Sequence, residues 1–176
     1  MAELEVVVTF GDEQRESMVF LVAIDNSEES FYALRWVLRH YFSGAANPGA
    51  VHKLVVVYAK PIPSAVIGIG GLGAVDVLPY VESDLSKIAD GVIQKARDLC
   101  VANLVDDATF DVSQGEAKTV LCGAAEKYQA DMLVMGCRGY GAVRRAVLGS
   151  VKDYCTRYAQ CNVLIVKKPL NTYSSA

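Results

Sequence analysis

Apolar positions in this chain fall into two alternating kinds of run, and the alternation predicts the fold. Met18 to Ile24, Lys53 to Ala59, Met132 to Met135 and Val163 to Val166 are short, nearly continuous apolar runs. Runs of this kind, rich in Val, Ile and Leu, read as parallel strands covered on both faces. Thr109 to Val112 is a shorter strand, and Gly115 breaks the chain after it. Between the strands, apolar residues recur three or four apart, as helices with one buried face require. The first such set is Phe31, Leu34, Leu38 and Tyr41, with Glu28 and Glu29 in the opening turn, where the helix dipole favours acids. A long helix is predicted from Val81, with Leu85, Ile88, Val92, Ala96 and Leu99 as its stripe and Pro79 standing before it. Val120, Leu121, Ala124, Ala125 and Tyr128 mark a third helix, and Val151, Tyr154, Cys155 and Tyr158 a fourth.

The order β-α-β-α-β-α-β-α-β predicts an α/β fold, a parallel sheet with helices on both faces and right-handed crossovers. In such sheets ligands sit at the carboxyl ends of strands, where the strand order reverses. In a 3-2-1-4-5 arrangement that point lies between the first and fourth strands. Asp25 ends the first and Gly136 ends the fourth, so both would face one crevice. One domain is expected over residues 18–169. Residues 1–17 read as an N-terminal extension, or as an added edge strand at Val6-Val7-Val8, and residues 170–176 as a disordered polar tail. A turn containing Pro48 is expected between Gly44 and Gly49.

The chemistry gathers after the fourth strand. Met135-Gly136-Cys137-Arg138-Gly139 is followed after nine residues by Gly149-Ser150. Small residues let backbone N–H groups approach an anion, and the helix start beyond adds free donors and a favourable dipole. Arg138, Arg144 and Arg145 suit phosphate oxygens. The same residues would also serve a plain strand–helix connection, with Ser150 and Asp153 as a short capping box. No Gly-Lys-Ser or Gly-Lys-Thr occurs, so this is not a Walker A motif and a P-loop motor or kinase is not expected. Gly68-Ile69-Gly70-Gly71-Leu72-Gly73 matches a dinucleotide fingerprint in letters only, since it lies beyond Pro61 and Pro63 instead of joining strand to helix. An apolar loop, a lid over a base, is its reading.

Those residues strongly resemble the universal stress protein family in its plant-type branch. The resemblance rests on Val22-Ala23-Ile24-Asp25, on Gly136-x-x-Gly139 with nine residues to Gly149-Ser150, and on the continuation to Val163-Leu164-Ile165-Val166-Lys167-Lys168-Pro169. It covers about Met18 to Pro169. It implies a three-layer sandwich around a five-stranded parallel sheet of order 3-2-1-4-5, like the adenine nucleotide alpha hydrolases. It also implies ATP or AMP as ligand. Gly136, Arg138, Gly139, Gly149, Ser150 and Val151, with Met135 leading in, would surround ribose and phosphates. Ala23, Ile24 and Asp25, with backbone near Val57, would hold the adenosine end. Mg²⁺ would accompany ATP. A homodimer through the edge strand at 162–167 is expected, with protein clients unknown. A helix cap is the alternative role for Asp25, and a small loop residue the alternative to a reactive thiolate for Cys137.

Composition narrows the classes. The formal charge of 176 residues is −3, with no basic surplus for nucleic acid. No apolar run reaches membrane-spanning length, and the acidic start lacks the pattern of a signal peptide. Five cysteines without C-x-x-C spacing predict neither zinc nor a disulfide framework and fit a reducing, cytoplasmic setting. His40 and His52 read as surface residues. No nucleophile stands beside a base, so any ATP turnover is expected to be slow. Two other classes compete: a holdase-type chaperone with incidental nucleotide binding, and an ATP pyrophosphatase or adenylyl-transfer enzyme.

Overall fold

A computed structural model describes residues 17–43, 52–63, 74–137 and 150–169. Five parallel strands, β1 (Val19–Ile24), β2 (Lys53–Lys60), β3 (Thr109–Gln114), β4 (Met132–Cys137) and β5 (Asn162–Lys167), form one sheet. Their order is β3-β2-β1-β4-β5, as the resemblance implies. Four helices join them: α1 (Glu28–Val37), which runs on through a π-helical turn at Leu38–Phe42, α2 (Ala74–Ala102), α3 (Ala117–Lys127) and α4 (Ser150–Tyr158). The predicted turn at 44–49, the segment Val6-Val7-Val8, the glycines at 68–73 and the tail from 170 lie outside the described residues.

Strand side chains alternate between two cores. Phe20, Val22, Ile24, Leu54, Val56 and Val134 pack with Phe31, Leu34 and Val37 of α1 and with α2 on one face. Leu21, Val55, Val57, Leu133 and Met135 pack with Leu121, Ala124 and Ala125 of α3 and Cys155 of α4 on the other. Each residue step in a strand thus switches core, which fixes the register.

Three expectations change in detail. The buried stripe of α2 is Leu85, Ala89, Val92, Ala96 and Cys100, whereas Ile88 is 43% exposed. Steps of four, three, four and four follow the 3.6-residue turn, and the small Ala89 lets the helix lie close to the sheet. The helix also begins at Ala74 and runs through Pro79. Proline holds a helical φ but lacks the N–H that would reach the Val75 carbonyl, so the helix goes without one intrahelical bond there. Tyr158 is 61% exposed, its ring tilted at 41° against Tyr154 with 4.5 Å between centroids.

His52 is partly buried rather than a plain surface residue. Its Nδ1 accepts from the Met18 N–H at 3.2 Å, and its ring sits edge-on among Phe20, Tyr41 and Phe42. Its Nε2 is buried with no hydrogen-bond partner among the described residues. His40, by contrast, lies at the surface and stacks on Trp36. At this amino end of the sheet, Asp131 accepts from the Val19 N–H at 2.8 Å and returns its own N–H to the Val19 carbonyl.

Candidate functional site at the carboxyl ends of β1 and β4

β1 feeds α1 on one face and β4 leads to α4 on the other, so the chain diverges between two adjacent strands. This is the switch point where α/β sheets open a crevice. Register places Ala23 opposite both Val57 and Met135, and Ile24 opposite Tyr58. Ala23, Val57 and Met135 share the α3/α4 face and form one row across three strands. The row continues to Asp111 beside Val57 and to Ile165 beside Met135.

Asp25 stands at the end of β1, where its Oδ1 accepts from the Ser27 N–H at 3.0 Å and from the Ser27 hydroxyl. Ser27 is the N-cap of α1, and its Oγ accepts from the Ser30 N–H. The buried Ser30 hydroxyl reaches the carbonyls of Asp25 and Ser27, at 2.9 and 3.0 Å. Sequence spacing named Asp25 as cap or ligand; in the structure Ser27 caps the helix and Asp25 braces the cap. Its negative charge is also felt by Tyr58, whose phenol is pushed up by burial first and by Asp25 second, with Lys60 opposing.

Gly136 has a packing role that sequence reasoning missed. A Cβ added there would lie 2.5 Å from the Glu29 carbonyl carbon and 2.8 Å from the Ser30 nitrogen. The first turn of α1 therefore rests directly on β4, and only glycine allows that approach. Met135 and Gly136 belong to β4, while Ser150 and Val151 open α4, with Val151 packed on the second core. Arg138, Gly139 and Gly149, between them, lie outside the described residues.

Two polar clusters flank the row. Lys60 pairs with Glu82 of α2 and donates to Ser86 at 3.1 Å. Asp111 accepts from Lys127 and Tyr128 at 2.8 Å each and from Ser113 at 2.7 Å. Neither was signalled by sequence, because the partners are brought together only by sheet register and helix packing. Asp111 borders a cleft of about 280 Å³ between β3 and α3, lined also by Gln114, Gly115, Thr119 and Val120. The cleft is on the same face and end of the sheet as the row. Burial raises the Asp111 pKa, but the bonds from Lys127, Ser113 and Tyr128 outweigh it and hold the carboxyl below its ordinary 3.8. Its stabilisation is therefore present above pH 3.8 and is lost as pH falls through the lower folded value. Asp111→Asn is expected to cost about 1–2 kcal/mol at pH 7. In urea titrations the gap to wild type should shrink below pH 4; a gap unchanged down to pH 2 would contradict the pairing.

The profile of the universal stress protein family matches residues 18–167. The chain belongs to this family. Universal stress protein PHOS34 of Arabidopsis thaliana is 29% identical over 168 residues, covering 84% of this chain and 61% of that protein. PHOS32 of the same plant is 27% identical and covered to 64%. The chain thus spans about three-fifths of these relatives. Among solved structures, an Arabidopsis thaliana universal stress protein family protein with AMP bound matches with a TM-score of 0.64 at 17% identity, covering 90% of this chain and 96% of that one. A universal stress protein in complex with cAMP matches at 0.56, with 21% identity, 85% of this chain and 95% of that one. At these identities the likeness establishes the fold, which this universal stress protein shares.

Proposed function

We propose that this chain binds an adenine nucleotide, AMP or ATP, across the carboxyl ends of β1 and β4, and acts as a nucleotide-regulated stress-response protein. The observation that carries the reading is the convergence of Asp25, the Ala23–Val57–Met135 row and the Gly136 approach at the switch point. The apolar row would take the base, with Ile24 backbone beside it, and the Asp25 carboxylate would accept from ribose hydroxyls. Gly136, Arg138, Gly139, Gly149, Ser150 and Val151 would surround the phosphates, using donors and dipole at the start of α4. Relatives of the same fold bound to AMP and cAMP support this ligand class. Among the described residues, no group of three acidic, His or Cys side chains is placed to hold a metal. In this reading Mg²⁺ accompanies the ATP phosphates, and the chain holds nucleotide with slow turnover at most.

The same reading makes the protein a cytoplasmic homodimer. β5 is an outer strand whose Val163, Leu164 and Ile165 are only partly buried, and apolar edges recruit partners. Isothermal titration of the full chain with AMP and with ATP tests the binding proposal. Micromolar binding of either nucleotide is expected; absence of heat for both at millimolar ligand overturns it.

A further inference from the structure

Three of the five cysteines meet on the face away from α1. Cys122 of α3 and Cys155 of α4 stand with sulfurs 3.9 Å apart, and Cys161, just before β5, packs against the same core. These positions are 33 residues apart in the chain for the close pair, so the meeting is a product of packing alone. Cys155 is fully buried and Cys122 only partly so. Among the described residues this trio is not arranged to hold a metal.

We propose that Cys122 and Cys155 are an oxidant-modifiable pair that closes into a disulfide tying α3 to α4. Peroxide is the oxidant class. The Cys122 thiolate attacks a peroxide oxygen, the O–O bond breaks and hydroxide leaves, giving the sulfenic acid. The Cys155 sulfur then attacks the Cys122 sulfur, the S–OH bond breaks, and the Cys155 proton leaves with that hydroxide as water. Two thiols lose two electrons and one peroxide becomes two waters. Closure needs the sulfurs to move from 3.9 Å to about 2.05 Å.

Burial, followed by Cys122, raises the Cys155 thiol to about 12. Burial likewise raises Cys161, against a backbone hydrogen bond from Leu133. The roles follow: the partly exposed Cys122 meets the oxidant, and Cys155 resolves it because it is held in contact, not because it is a ready thiolate. Reaction is consequently slow, minutes to hours with millimolar peroxide at pH 8. It proceeds whether or not nucleotide binds.

The test treats the reduced full-length chain with hydrogen peroxide and maps peptides without reduction. The intact mass should fall by about 2 Da per chain, titratable thiols should fall from five to three, and one peptide pair should join Cys122 to Cys155. Dithiothreitol should reverse all three changes. Thermal midpoint should rise by about 5–10 °C on oxidation. Cys137→Ser should leave these changes intact, whereas Cys155→Ser should abolish them. Cys122→Ser, at a less buried position, should abolish them too and guards against a folding defect in the Cys155 variant. Five thiols still titrating, a link between chains, or a link using any other cysteine overturns the proposal.

Discussion

Gly136→Ala is expected to cost about 3 kcal/mol and to lower the thermal midpoint by about 6–12 °C. The added methyl would press on the Glu29 carbonyl and the Ser30 nitrogen, which are helix backbone and cannot rotate aside. Relief requires α1 to lift from β4, loosening Phe31 and Leu34 in the core. Gly91→Ala is the control. A Cβ there meets nothing within 4 Å, and alanine in a helix should stabilise by about 0.5–1 kcal/mol. Differential scanning calorimetry of the two variants decides the matter; equal melting of Gly136→Ala and wild type would show that the close approach is not built into the fold. The result bears on interpretation, since loss of nucleotide binding in a Gly136 variant would report damage to α1 as much as a lost ligand contact.

Asp25→Asn is expected to weaken AMP or ATP binding by about 10–100-fold while leaving the fold in place. Asparagine keeps an oxygen where Oδ1 accepts from the Ser27 N–H and hydroxyl, so the thermal midpoint should move by no more than a few degrees. What it removes is the charge, and charge-assisted bonds to hydroxyls are the stronger ones. An independent readout comes from Tyr58. Asp25 pushes its phenol upward, so the tyrosine should titrate at lower pH in the variant. An affinity within twofold of wild type, measured by calorimetry, would remove Asp25 from the ligand's partners.

The elements that the sequence displayed best are those whose burial is two-sided. β1, β2 and β4 are nearly continuous apolar runs because both faces are covered, and their signal needed no context. β3 was cut short because its polar Ser113 and Gln114 are strand residues only through pairing with Ala59 and Lys60. The stripe of α2 misled by one residue, since Ile88 is the stronger hydrophobe but Ala89 lies over the sheet. The partial burial of His52 is invisible in sequence because its aromatic surroundings come from β1 and from the turn after α1. For the site, Asp25 and Gly136 stood out by position, but the reason for the first is local and that for the second tertiary. A serine cap fixes one, and a helix resting on a strand demands the other.

The pairing of β1 with β4 joins residues more than a hundred positions apart, as the Val19–Asp131 bond at a separation of 112 shows. β1, β2 and β3 can zip in chain order and β4 can take β5, but this central joint demands the largest loop closure in the sheet. It is therefore expected to form late in assembly, and the crevice exists only once it has closed. A molecule seated across that joint recognises the finished sheet and neither half alone. Its binding free energy is added to the barrier against reopening, so ligand concentration would set the lifetime of the folded chain as well as its occupancy.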